Sequence, residues 1–557
     1  MKFIGLAAAA LLALAAYATA TTSTQNIAIS VFPAMNFTPF TLSFPAQTVG
    51  TTSTAQTVTA KNAGAITVNF TIGFTGAYAA DFSETDNCSG SLAAGASCTI
   101  SVTFKPSAAT TESVSLAVNV TGGHAYTAAV AGTGTNGSLA PGFYVATNGS
   151  DSNPGTVSQP FATIARCQAA MRNSAGIKAC YLRAGTYNMA GIASDCDGTS
   201  AFQLSAADTA ETWSYYPPDG PGSAILDGGS TSPTTGVRTG ICVNGTSGAT
   251  INGLQIQRFI HTLIQIYDPN VVAENNTLHD YTEHSNNGAI NVGGGAATNV
   301  HLLNNYIYNA PERGISAGPC FSSSCAGGIN SLTIAGNYIY NTCTQVSDCG
   351  AIYIIDFQSP RSTGIAISNN YVRDVKASGG GRGIYLDDGA SNVASSGNII
   401  IGAATTCYNI HGGSNDSYTG NICDEDSQST VTILLYQNSD STSGGNNGSG
   451  NIFTNNVIIS GQSGGGGYDG DASPGTPPTI GNNFYHNYVG ASINSGGVFT
   501  DPNPTTGDPQ ISCWSYNIAG GSPVFNAVNF SGITGGWGPP GFGIPQSGTP
   551  PSSPHAC

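Results

Sequence analysis

Three short segments between Gly350 and Gly413 carry residue types that could do chemistry. They read GAIYIID, GIYLDD and YNIHGG, and each precedes a Gly-Asn or Asn-Asn step. They contribute Asp356, Asp387, Asp388 and His411. Cleavage of a glycosidic bond needs two carboxyl groups, one protonated and one ionised, about 5 Å apart for a retaining double displacement. Crowding two like charges raises the pKa of one of them and so supplies the proton donor. Asp356, Asp387 and Asp388 are therefore the catalytic candidates. His411 could orient an acid or bind a sugar hydroxyl, and Tyr385 and Tyr436 could offer ring faces to a sugar. The competing reading is plain: Asp-Asp-Gly is a good turn sequence, and His-Gly-Gly suits a solvated corner.

These residues can meet only if the segments stack as successive coils of a parallel β-helix, about 4.8 Å apart. Aligned on their apolar positions, Ile352, Ile354, Ile384, Leu386 and Ile410 point inward, and Tyr353, Tyr385 and Asn409 point outward. One step on, Ile355, Asp387 and His411 point outward, and Asp356 falls level with Asp388. Carried backward, the column meets Gly293, Gly294 and Gly318; carried forward, it meets Tyr436 and Gln437. A register slip of one residue would turn Asp387 inward.

The surrounding chain repeats as such a solenoid requires. A short apolar strand, a turn, an Asn-Asn or Gly-Asn step and a second apolar strand recur from Ala224. The second residue of each step gives Asn276, Asn305, Asn337, Asn370, Asn398, Asn421, Asn456 and Asn483, spaced 23 to 35 residues apart. Irregular intervals of this size fit coils with loops of varying length. The asparagines are expected to stack at a corner as a hydrogen-bonded ladder.

Composition bounds the rest. The chain of 557 residues has 8% charged residues, 74 glycines and a net charge of −16. It reads as all-β and turn-rich. The charge argues against nucleic acid and anionic membranes as partners, and mildly against a polyuronate. Residues 1–20 have the charged start, apolar run and A-x-A-like end of an export signal, and no later segment is apolar enough to cross a membrane. The 14 cysteines favour disulfides over metal sites. Cys88–Cys98, Cys320–Cys325, Cys343–Cys349 and Cys407–Cys423 are plausible local pairs, with Cys167–Cys180, Cys196–Cys242 and Cys513–Cys557 beside them.

Residues 36–135 alternate as short strands about ten residues apart, the pattern of a β-sandwich. DFSETDNCSGSLAAGASCTISVTFKP, with VAGTGT at its end, resembles the choice-of-anchor D family of immunoglobulin-like bacterial domains. That resemblance implies an accessory module of an exported protein. Residues 136–142 form a linker, 143–495 the right-handed parallel β-helix, and 496–557 a terminal coil with a Pro/Gly-rich tail. FYVATNGSDSNPGTVSQPFATIARCQAAM and YLRAGTYN resemble the entry segment of secreted β-helix proteins that act on polysaccharides. Thr163–Met171 would be a helix capping the open end of the solenoid, where a first coil would otherwise expose its core.

GAIYIID before SNNYVRDV, and GIYLDDGASNV before GNIIIG, resemble the core repeats of secreted β-helix glycoside hydrolases. The resemblance implies catalytic acids at the strand ends, here Asp356, Asp387 and Asp388, a polysaccharide or oligosaccharide substrate and no cofactor. The scaffold also hosts lyases. In that alternative Lys376 or Arg382 is the base, Arg313 and Arg361 lie in other loops, and Asp387 with Asp388 holds calcium. Asp348, Glu283 and Glu312 are further candidates for a partner acid. A third reading is a non-catalytic adhesin or carbohydrate-binding solenoid at the cell surface.

Overall fold

The computed structural model describes residues 35–48, 51–107, 110–121, 125–135, 139–189, 196, 202–234, 236–283, 288–293, 297–318, 328–356, 362–376, 380–425, 432–437, 449–461, 466–470, 477–488, 494–497 and 499–509. The expected export signal at residues 1–20, Gly294, Cys320, Cys325, Arg361, Cys513, Cys557 and the Pro/Gly-rich tail lie outside them.

The protein is all-β. Met35–Thr135 contributes two antiparallel-rich sheets of a β-sandwich, in strand alternation that buries every second residue along Ser97–Phe104 and Thr111–Val120. Their inner faces close on a core of their own, with Phe82 and Phe104 stacked at 4.7 Å. Cys88 and Cys98 form a disulfide there.

From Gly142–Val145 onward the chain winds as a right-handed parallel β-helix. Among the described residues its three walls hold 12, 12 and 11 parallel strands. Each coil runs through the first wall, turns at an Asn step into the second, and passes a looser corner into the third. The core is continuous and aliphatic, and includes Ile315, Ile352, Ile384 and Ile410 at 0% exposure. Helix Ile164–Arg172 closes the open end as expected. Thr163 accepts the Arg166 N–H as N-cap, Ile164, Cys167 and Met171 face the core, and a Cys167–Cys180 disulfide ties the helix to the first wall. Cys196–Cys242, Cys343–Cys349 and Cys407–Cys423 also pair as the spacing predicts.

The register is held at the corner between the first and second walls. Asn276 through Asn483 form an unbroken stack in which each Nδ2 donates to the next Oδ1 at 2.9–3.1 Å. Each Oδ1 also accepts a main-chain N–H from the preceding rung, and the second Nδ2 proton goes to a strand carbonyl one coil back, as in Asn370 to Ile334 O at 2.9 Å. Asp501 takes the place of the next asparagine and accepts both donors of Asn483. The residue ahead of each rung carries the left-handed turn: Asn304, Asn369 and Asn455 sit at φ of 54°, 55° and 58°, and Gly336 and Gly397 at 67°. Asparagine and glycine are the types that adopt that conformation at least cost.

Asn370→Ala deletes an interior rung and leaves the buried Asn337 N–H unpaired, which costs roughly 2–4 kcal/mol. The exposed rung Asn341, which donates to Asn309 Oδ1 at 2.7 Å, is the control. Its alanine variant should lower the denaturation midpoint far less than Asn370→Ala in the same titration.

A second test lies under the capping helix. Glu211 is fully buried and accepts the Trp213 indole N–H at 3.1 Å. Burial, reinforced by the nearby Asp208 charge, pushes its carboxyl up to about 7. A folded pKa raised above the unfolded one makes the ionised state costly, so stability should rise as pH falls from above 7 toward the ordinary carboxylate range. The full effect is of order 3 kcal/mol. Glu211→Gln should raise the thermal midpoint at alkaline pH and remove this part of its pH dependence.

Candidate functional site

The third wall positions the candidate residues. Strands Cys349–Ile355, Gly381–Asp387 and Thr406–His411 pair in parallel, with Tyr353 level with Tyr385 and Tyr385 level with Asn409. Ile352, Ile354, Ile384, Leu386 and Ile410 face the core, as the alternation predicts. Ile355 is level with Asp387, and Leu386 with Ile410, so His411 stands beside Asp387 on the outer face. Gly293 and Gly318 continue this column on the earlier coils.

Asp387, Asp388 and His411 form one cluster. His411 Nδ1 donates to Asp387 Oδ1 at 2.6 Å and lies 3.6 Å from Asp388 Oδ1. Asp387 is 5% exposed. Its Oδ1 also accepts the Asp388 N–H at 2.9 Å, and its Oδ2 accepts the Tyr353 hydroxyl at 2.5 Å. The Tyr385 hydroxyl also favours the charged form of this carboxylate. Burial pushes the Asp387 carboxyl up, but the hydrogen bonds from His411 and Tyr353, with the Tyr385 hydroxyl, outweigh it and hold it below the ordinary carboxylate range. Burial and the Asp387 charge push both tyrosine hydroxyls far up, so they stay protonated donors. Crowding was expected to raise one acid of the pair; the structure makes Asp387 the ionised member.

Asp388 reaches the cluster through its backbone. Its φ is 40°, Gly389 follows at 86°, and Ala390 N–H closes the turn on Asp387 O at 3.0 Å. The Asp-Asp-Gly turn is thus real, and it also places a second carboxyl beside the first. The nearest donor atoms of Asp387, Asp388 and His411 all lie within 4.8 Å of one another.

Other expectations change. Asp356 is not part of the cluster. The alternation gives the outward position to Ile355, so Asp356 turns in, is fully buried and accepts the Ser362 N–H. Tyr436 does not edge a groove: it is level with Ile410 rather than His411, and is fully buried in the solenoid core. The residue level with His411 is Gln437. Tyr385 is 3% and Tyr353 2% exposed, with their rings edge to face at 5.1 Å. They serve the cluster through their hydroxyls, not as a stacking platform. Lys376 is exposed at the end of the second wall. The seven-residue strand Gly381–Asp387, about 20 Å long, separates it from the acids. Arg382 donates to Asp348 at 2.7 Å and lies 4.2 Å over the Tyr385 ring, so it is engaged rather than poised as a base. Among the second-rank acids, Glu283 pairs with His261 and Arg238, and Glu312 with Arg313.

Sequence reasoning missed the tyrosine hydroxyls as partners of Asp387 and the place of Arg313, whose guanidinium lies 3.7 Å over the Tyr353 ring. The level outward positions of Tyr353 and Tyr385, one coil apart and two residues short of Asp387, were the available signal.

A model of the family described as right handed beta helix region matches residues 239–424. No curated protein matches the chain. Among solved structures it is similar to a GH136 lacto-N-biosidase from Eubacterium ramulus, at 15% identity and a TM-score of 0.44 over 66% of this chain and 67% of that one. Pectate lyase Pel9A is similar at 13% identity and a TM-score of 0.40, over 70% of this chain and 91% of that one. The catalytic domain of a GH87 alpha-1,3-glucanase in complex with nigerose is similar at 13% and 0.37, over 83% and 89%. No helix among the described residues is long and apolar enough to cross a membrane.

The cluster does not fit calcium. That ion takes six to eight oxygen ligands. Here one of three donors is an imidazole nitrogen, and both Asp387 oxygens are already occupied by N–H and O–H donors. A chelator should therefore leave the thermal midpoint unchanged, and added calcium should not raise it; a calcium-dependent rise would show that the cluster rearranges around the ion.

Proposed function

We propose that the protein cleaves glycosidic bonds in a polysaccharide at the Asp387–Asp388–His411 cluster. The observation that carries this reading is the pairing of a buried carboxylate that accepts hydrogen bonds from His411, Tyr353 and the Asp388 N–H with a second carboxyl close beside it on the outer wall. Asp387, as the anion, stabilises or attacks the anomeric carbon. Asp388, more exposed at 14% of its side chain, is the proton donor to the leaving oxygen. The short separation of their oxygens suits a retaining course. His411 bridges the two acids and keeps Asp387 directed outward. The N-terminal sandwich is an accessory module of choice-of-anchor D type, and the chain is exported. The five disulfides among the described residues support an oxidising compartment.

Elimination from a uronate is the second reading, favoured by one feature. The Nδ1 bond to Asp387 orients the His411 imidazole on the outer wall, and a neutral imidazole so held is a base of the kind that abstracts a proton. The secreted protein is incubated with a panel of neutral and acidic polysaccharides. New reducing ends without the ultraviolet absorbance of an unsaturated product, lost by about 10²–10⁴-fold in Asp387→Asn and Asp388→Asn, are the expected result. Unsaturated products would replace hydrolysis by elimination, and binding without products would leave a carbohydrate-binding solenoid.

A further inference from the structure

Two arginines stand behind the tyrosines that hold Asp387. Arg313 comes from strand Arg313–Gly318, two coils before the Asp387 strand, and lies over the ring of Tyr353 at 3.7 Å. Arg382 comes from the Asp387 strand itself and lies over the ring of Tyr385 at 4.2 Å. Arg313 is 2% exposed and pairs with Glu312 at 3.2 Å; Arg382 pairs with Asp348 at 2.7 Å. Each pair has the same order: an acid fixes a guanidinium, and the guanidinium covers a ring whose hydroxyl favours the Asp387 anion, in Tyr353 through a hydrogen bond.

The backbone is shaped for this. Strict alternation back from Ile315 and Ile384 would turn both arginines into the core. At the strand starts Gly314 and Gly383 take the inward place instead. A Cβ on Gly314 would meet Ile339 at 2.6 Å, and one on Gly383 would meet Ile400 at 2.5 Å. The break frees the preceding arginine to lie on the outer face. Gly350, level with Arg382 on the intervening coil, gives way to Tyr385, whose Cβ a Cβ at residue 350 would meet at 2.8 Å.

We propose that Arg313 and Arg382 are positioning residues for Asp387, acting through the rings of Tyr353 and Tyr385. A cation on the face of a phenol draws electron density from the ring and strengthens the hydroxyl as a donor. The Tyr353 hydroxyl fixes the direction of the carboxylate, and both relays favour its charged form. Tyr353 and Tyr385 are deeply buried, so they cannot reach Asp387 in two ways, and the guanidiniums set the ring planes. The groups facing Asp387 are Tyr353 from the preceding coil, His411 from the following one, and Tyr385 and Asp388 from its own. Behind them stand Arg313 with Glu312 and Arg382 with Asp348. In each tyrosine the arginine's charge opposes the upward push of burial and of Asp387.

This inference rests on the proposed glycosidase reading, but one of its readouts does not. In Arg313→Gln and Arg382→Gln the acid limb of the kcat/KM profile should move to higher pH by about one unit, a tenfold loss on the acid side. KM should change little, and Arg313→Lys should restore most of the shift by returning the charge. An acid limb that stays in place while activity falls equally at every pH would reduce the arginines to packing and overturn the proposal. The second readout is the thermal midpoint against pH. A depressed folded pKa supplies stability that is present above the unfolded pKa and lost as pH falls through the folded one. Arg313→Gln should bring that loss to higher pH, and should have no such effect in an Asp387→Asn background. No hydrolysis with the midpoint shift present would remove the glycosidase reading and leave the relay. Hydrolysis with neither shift would remove the relay alone.

Discussion

The parallel stacking of coils with a side-chain period of two is the constraint on which the rest of this molecule depends. The Asn ladder enforces it. Each rung donates to the next side chain and accepts from the previous main chain, so a coil that slipped by one residue would lose its rung and bury unpaired polar groups. The ladder lies on a different corner from the acids, yet it decides which residues of the third wall face out. With the rung at Asn370 fixed, the strands on either side inherit their register, and Ile355, Asp387 and His411 fall in one outward column.

The site is built by loading that column unevenly. A carboxylate on an exposed wall would be an ordinary solvated charge. Here Asp387 is buried beneath its neighbours and would be driven toward the neutral form, but Tyr353, the Asp388 N–H and His411 converge on it from three successive coils. Burial makes those hydrogen bonds strong, because water is not there to compete. The same environment keeps the phenols protonated, so anion and donors stabilise one another's protonation states.

Most of the fold was legible in the residues. The two-residue alternation of GAIYIID and GIYLDD, the recurring Asn steps and the local cysteine spacings each correspond to a structural element with one physical cause. The site was legible only in part. Asp387 and His411 lie inside regular strands, where the period assigns a face. Asp356 and Tyr436 were misplaced because the reading extended the column by proximity to a strand end instead of by parity: Ile355 already occupied the outward place, and Tyr436 pairs with Ile410. The arginines were hidden for the opposite reason. Parity alone sends Arg313 and Arg382 inward, and only the tight fit of Gly314 and Gly383 against Ile339 and Ile400 shows that the alternation breaks at the strand starts.

Asp388 shows why turn chemistry and site chemistry should not be treated as rivals. Its left-handed backbone, the Gly389 that follows and the bond from Ala390 N–H to Asp387 O make a tight turn that any Asp-Asp-Gly sequence could form. On a straight strand, successive side chains point to opposite faces, and residue 388 would have followed Asp356 inward. A positive φ at residue 388 cancels that alternation and brings two consecutive carboxyls to the same side. Asparagine or glycine would satisfy the turn as well or better, so the turn alone gives no reason for a charge beside a buried anion. The turn does not account for an acid at 388 set 3.6 Å from His411 and beside the buried Asp387, and it is this placement on which the proposed proton transfer rests.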